Sequence, residues 1–344
     1  MALRPTALAL AVVALVVAPR AARADARCTP DDELGDAATT LLLDAQPLTA
    51  ERVAVALRHS GSDLPVAHAG AFAADDGRAR DAWIAGLASR SDAPLVCGSA
   101  VGPGGRSITV AAARAGRLDR LPDSVDSFRP VLAPGFTSPY VVVLGADGVP
   151  TREPLAASDV TDGVRVPELV PRPAVLQLVA TGPAGPRPVA ERAVGTPVAP
   201  AAPAPAATAA LDALPGSSAA SHLGDLRTDS GARPLRVNRL LVAVAQRHAA
   251  DVCAAGRVAH QLEPGVGPEE RLARAGVRAR LVGEAIARSR SVTSAFAALS
   301  RSPSHRLTLV DDRFTDVGIG MARDAEQRIC LVVALAAWPR VVPP

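Results

Sequence analysis

Apolar positions change their period twice along the chain. From Asp31 to about Arg90 they recur at helical spacing. Leu34, Ala37, Ala38 and Leu41 follow the i, i+3, i+4, i+7 pattern, and Thr49 is placed to cap a second helix reaching about His59, before Gly61. Trp83, Ile84 and Leu87 mark a third helix. Residues 95–101 and 107–112 then read as two strands joined by Gly102-Pro103-Gly104-Gly105. From about Phe128 to Val194 the signals are all β. Residues 139–144 end at the turn Gly145-Ala146-Asp147-Gly148, residues 174–180 form a second strand and 189–194 a third. Short strands between Gly and Pro turns predict a small β-sandwich.

Helical spacing returns in the last third. Val237, Leu241, Val244 and Val252 make one stripe on a helix over 236–255, with Gly256 as its stop. Pro268, Glu269 and Glu270 open a second helix, closed by Gly276, and residues 291–300 form a third. Ser302-Pro303 reads as the N-cap and first-turn proline of a short helix carrying His305. Val317, Ile319 and Met321 alternate as a strand, and residues 328–336 return as a buried one. The fold class is α/β.

Between these regions lie Pro197, Pro200, Pro203, Pro205 and Pro215, set mostly among alanines, which favours an extended, semi-rigid spacer. The expected organisation is a signal peptide over 1–26, a helical-plus-hairpin unit over 27–125, a small β domain over 126–195, a linker over 196–218 and a C-terminal domain over 219–340. One internal echo crosses the linker. Cys97-Gly98-Ser99-Ala100 before Ser107-Ile108-Thr109-Val110 resembles Gly318-Ile319-Gly320-Met321 before Ile329-Cys330-Leu331-Val332, so the first unit is a candidate degenerate relative of the C-terminal fold.

The leader sets the compartment. Arg4 precedes twelve apolar residues, and Ala22-Arg23-Ala24 and Ala24-Asp25-Ala26 both have the small-x-small form that signal peptidase accepts. That apolar run is too short to span a bilayer, and no later segment is long and apolar enough. The expectation is an exported chain, extracellular or periplasmic, without a transmembrane segment. Cys28 follows no lipobox. The chain has 344 residues, 49% hydrophobic but only 2% aromatic, so small aliphatic side chains must fill its cores. Net charge is +3, with arginines interleaved among acids, and the basic stripe and stacking aromatics of a nucleic-acid binder are absent. Four cysteines, Cys28, Cys97, Cys253 and Cys330, allow three pairings. Two lie on each side of the linker, which makes Cys28–Cys97 and Cys253–Cys330 the economical choice, each worth about 4 kcal/mol by loop entropy. No C-x-x-C spacing suggests a metal knuckle.

In the last third the residues carry a specific resemblance. Leu226-Arg227 with Gly231-Ala232-Arg233-Pro234-Leu235, Ala245-Gln246-Arg247-His248-Ala249, His260, Gly283-Glu284-Ala285-Ile286-Ala287, Ser302-Pro303-Ser304-His305-Arg306, and Phe314-Thr315-Asp316-Val317-Gly318-Ile319-Gly320 fall in the order of the CAP (SCP-like) family landmarks. The resemblance implies a three-layer α-β-α sandwich with a cleft where histidines and acids converge. By position the cleft residues are His260, Glu284 and His305, with His260 and His305 as candidate ligands of Zn²⁺, whose chemistry suits imidazole and carboxylate donors. Several positions depart from the family pattern. Ala285 stands where the family has Asn, Leu299 where an aromatic is expected, Gln261 where Ser or Thr is usual, and Ser302 near the place of a second acid. A cleft short of one acid predicts weak metal binding or none.

His248 shares the apolar stripe of its helix and reads as a core histidine. Ser302 and Ser304 lie near His305, but where a helix cap is wanted and without a G-x-S-x-G elbow. His59, His68 and His222 are isolated. The functional expectation is a secreted, non-catalytic binding or interaction module whose partner is a small ligand or a cell-envelope component. The alternative is a weak metal-dependent hydrolase of the envelope.

Overall fold

The computed structural model describes residues 28–338 except 45, 123–125, 196–214 and 277. The expected signal peptide and most of the linker lie outside the described residues. Among those described, no helix is long and apolar enough to cross a membrane.

The first unit comprises β1 (Thr29–Pro30), α1 (Asp32–Leu43), α2 (Ala50–His59), β2 (His68–Ala73), α3 (Gly77–Ala88), β3 (Leu95–Val101) and β4 (Arg106–Ala113). Asp31 and Thr49 cap α1 and α2 by accepting from Leu34 N and Arg52 N. The helical stripe Leu34, Ala37, Ala38 and Leu41 lies buried against Ile108 and Val110 of β4, with Val53 and Leu57 of α2 beside it. Ile84 of α3 packs with Leu95 and Cys28 in a separate cluster. The sheet order is β1-β3-β4-β2.

The middle unit is a two-sheet β structure, built from β5 (Gly116–Arg120), β6 (Ser127–Leu132), β7 (Thr137–Leu144), β8 (Pro150–Pro154), α4 (Ala157–Asp162), β9 (Val164–Arg165), β10 (Ala174–Gly182) and β11 (Gly185–Val194). A four-stranded sheet β11-β10-β7-β8 encloses one core with the three-stranded sheet β5-β6-β9; Phe128, Leu118, Val141, Leu176 and Leu178 fill it. β10 and β11 form a hairpin that pairs Gln177 with Glu191.

The C-terminal unit holds α5 (Pro215–Asp229), β12 (Arg236–Val237), α6 (Arg239–Ala255), α7 (Pro268–Arg274), β13 (Leu281–Ser289), α8 (Val292–Arg301), α9 (Pro303–Val310), β14 (Asp316–Arg323) and β15 (Ile329–Ala337). Its sheet runs β12-β14-β15-β13. Alternation sends Ile286, Val332 and Ala334 to the face covered by α6, and Ala285, Ala287, Leu331, Val333 and Leu335 to the face covered by α5, α8 and α9. Helices therefore cover both faces of one sheet. The helix expected over 236–255 is α6, which begins later than its apolar stripe suggests. Asn238 caps it at Leu240 N and Leu241 N, while Arg236 and Val237 form a two-residue strand beside β14.

The sheets of the first and C-terminal units have the same topology. In each, a two-residue strand runs parallel to the third strand, which pairs antiparallel with the fourth, which pairs antiparallel with the second. Even the entry to the long helix matches: Asp31 N donates to Cys97 O and Asn238 N to Val317 O, both at 2.9 Å. Gly98 and Gly318, each one residue further along its strand, lie under that helix so closely that a Cβ would overlap the backbone of Leu34–Gly35 or Leu241–Val242. Disulfides join Cys28 to Cys97 and Cys253 to Cys330.

Candidate functional site

Three elements converge on Glu284. β13 pairs it with Ala334 and sends its side chain toward the α6 face, where it is 4% exposed. α6 ends at Gly256, whose φ of +64° turns the chain back, and the loop that follows carries His260 to the end of the sheet. His260 Nδ1 and Glu284 Oε1 lie 2.8 Å apart. From α7, Arg271 donates through Nη2 to Glu284 Oε2 and through Nη1 to the carbonyl oxygens of His260 and Val266, at 2.7 and 3.1 Å. One guanidinium thus fixes both the carboxylate and the loop that brings the imidazole to it. Burial pulls the Glu284 carboxyl upward, but His260, Arg271 and His248 outweigh it and hold the group below the usual carboxylate range. His248 is a core histidine. It is 2% exposed, lies 3.1 Å from Ala259 O through Nε2, and its pKa is lowered chiefly by burial.

His305 belongs to a second hydrogen-bonded chain. Its Nδ1 lies 2.8 Å from Ser302 Oγ. Ser302 occupies the N-cap position of α9, as its sequence suggests, but its hydroxyl makes no cap bond. The cap comes from the middle unit: Gln177 on β10 accepts from Ser304 N at 3.0 Å, and its carboxamide lies 3.3 Å from Ser302 Oγ and donates to Glu191 Oε2 at 2.7 Å. Burial, with the charge of His260 adding to it, pushes His305 down to about 4, so its ring is neutral at pH 7. Glu191 moves upward, chiefly by burial, against the pull of Gln177 and Arg58.

The structure therefore joins His260 to Glu284 directly and places His305 in a separate hydrogen-bonded chain. Sequence reasoning missed Arg271, Gln177 and Glu191. Gln177 had a visible signal, a lone amide inside an apolar strand, which must find partners when buried. Arg227, a landmark of the sequence resemblance, is structural: at 2% exposure it donates to Leu309 O and Arg233 O at 2.6 and 2.7 Å, tying α5 to the end of α9.

Residues 221–335 are matched by the model of the cysteine-rich secretory protein family, CAP. The C-terminal unit is a CAP domain. Among solved structures the chain is similar to an outer surface protein of Borrelia burgdorferi, at 20% identity over 36% of this chain and 92% of that one, with a TM-score of 0.34. An extracellular protein containing a SCP domain from Bacillus anthracis shares 16% identity over 55% and 64% of the two chains, with a TM-score of 0.32. A cysteine-rich secretory protein from Staphylococcus aureus shares 12% over 60% and 67%, with a TM-score of 0.31. A comparison with curated proteins gave no match.

The donor set of the CAP domain does not fit a zinc centre. Glu284 has both oxygens engaged, Oε1 by His260 Nδ1 and Oε2 by a guanidinium, and His305 Nδ1 faces Ser302, so this cluster offers a cation only the Nε2 nitrogens of His260 and His305, short of the three protein ligands of a zinc centre. Among the described residues, no group of three or more His, Cys, Asp and Glu side chains is arranged to hold a metal. Arg271 supplies beside Glu284 the positive charge that a cation would otherwise bring. The Ser302–His305 pair likewise lacks an orienting acid. Among the described residues no carboxylate bonds His305, and the Ser302 hydroxyl lies between His305 and Gln177.

Proposed function

We propose that the protein is an exported binding or interaction module, and that its CAP domain engages a ligand through the face carrying His260, Glu284 and His305. The observation that carries this reading is the engagement of both Glu284 oxygens, one by His260 and the other by Arg271. A carboxylate fixed by Arg271 and His260 serves shape and hydrogen bonding, whereas hydrolysis calls for a base or metal with free lone pairs. The ligand class is a cell-envelope component or a small molecule presented there. The apolar leader over residues 7–18, ahead of two small-x-small sites, supports export.

The test is co-sedimentation of the purified chain with isolated peptidoglycan sacculi, with soluble products measured alongside. Retention without release of soluble fragments, weakened in Glu284→Gln, is expected. Release that stops on chelation and in Glu284→Gln would favour a metal-dependent hydrolase instead.

We also infer that the first unit is an eroded copy of the CAP fold. Matching topology, helix entry and glycine contacts support this, as does the sequence echo. Strand pairing sets Ala69 of β2 at the place held by Glu284 in β13, so the copy keeps the scaffold without the acid.

A further inference from the structure

The four-stranded sheet of the middle unit has two buried faces. Leu176 and Leu178 point into its own core, yet Val142, Gln177 and Val179, which point the other way, are 0%, 1% and 1% exposed. A sheet face turned away from its own sandwich is buried only if something covers it. What covers it is α9, the helix of His305, which packs across β10, β7 and β8.

Both histidine-bearing segments are tied to this sheet. At one end Gln177 holds Ser304 N and Ser302 Oγ, and Arg306 Nε donates to Gly148 O at 2.7 Å. At the other, the β10–β11 turn reaches the loop of His260: Gln261 N donates to Ala184 O at 3.0 Å. Gly185, at φ +96°, lies so near that a Cβ there would stand 2.9 Å from His260 Cβ. The contacts combine main-chain carbonyls, one carboxamide and aliphatic side chains, which is the chemistry of a recognised polypeptide strand.

We propose that the β10–β11 hairpin is the resident polypeptide occupant of the His260–His305 face, covering part of it, so that an outside ligand reaches the whole of this face only when the middle unit is displaced. The identity of this face as the binding one rests on the function proposed above. The closure is tested without any ligand, so either can fail alone.

The experiment is carbethoxylation of the full chain with diethyl pyrocarbonate, read residue by residue by mass spectrometry. Exposed His59 is the internal reference. In the wild type, His260 and His305 should react at least about tenfold more slowly than His59. Gln177→Glu sets a second carboxylate against Glu191 within the interface, and should raise both rates together while circular dichroism stays unchanged. Arg306→Ala, which removes the bond to Gly148 without adding charge, should raise them less and serves if the first variant does not fold. Wild-type rates equal to that of His59 would overturn the closure. So would unchanged protection in a folded Gln177→Glu chain.

Discussion

Gln177 of the middle unit caps a helix of the C-terminal unit: its side-chain oxygen accepts from Ser304 N at 3.0 Å, taking the role that Ser302 would fill from within the helix. The exchange frees the Ser302 hydroxyl for His305 and fastens the middle domain to the CAP domain through one buried amide.

Removing that amide should be costly. Gln177→Ala leaves Ser304 N without its cap and Glu191 without its donor, and the expected loss is about 1–3 kcal/mol in urea unfolding of the full chain. A loss within about 0.5 kcal/mol, as for an ordinary surface substitution, would contradict the role given to Gln177.

Glu284 should behave as one half of a buried ion pair. Glu284→Gln leaves Arg271 uncompensated and should destabilise by about 3 kcal/mol. Glu284→Gln with Arg271→Met should cost less than the sum of the single variants. Strict additivity would show that the two groups are not coupled.

The repeated fold makes a paired prediction. Gly98→Ala and Gly318→Ala force a methyl into the backbone of the overlying helix, and each should cost about 2 kcal/mol or more. Gly35→Ala, with open space around it, should be neutral or stabilising by about 0.5–1 kcal/mol. Thermal melts of the three variants check this.

The pH dependence follows from His305. Its pKa is 6.5 as a free group and about 4 when folded, so between these values the unfolded chain binds more protons. Its contribution is complete above about pH 6.5 and is lost as pH falls toward 4, by up to about 3 kcal/mol. Glu191, with a raised pKa, works in the opposite direction, so the comparison to make is wild type against His305→Asn. The difference in their stability should shrink between pH 7 and pH 4.

Zinc is the last solution test. Calorimetry on the full chain should show no uptake that depends on His260 and His305, because Glu284 is already neutralised by Arg271. Micromolar binding lost in His260→Ala would mean that these side chains rearrange around a cation.

Much of the scaffold was legible because local rules decide it. The Leu34–Leu41 stripe, the Thr49 cap, the Gly256 stop and the division of cysteines by the linker all follow from periodicity or chain order. β13 and β2 were not legible. Val282-Gly283-Glu284-Ala285 mixes small, polar and apolar residues, and only pairing with β15 makes it a strand. The candidate site was half legible. Family landmarks pointed to His260, Glu284 and His305, but their partners Arg271, Gln177 and Glu191 are brought in by tertiary contacts that no spacing encodes. The separation of His305 from Glu284 is likewise a product of domain packing.

Hydrogen exchange on the full chain tests the domain closure most directly, followed at two amides that lie far apart in sequence. Ser304 N is held by Gln177 and Gln261 N by Ala184 O, both across the same interface. If the middle domain closes the CAP face as one body, Gln177→Glu accelerates exchange at both amides together. Acceleration at Ser304 alone, with Gln261 unchanged, would mean that the contacts are independent and that no closed state exists to be opened.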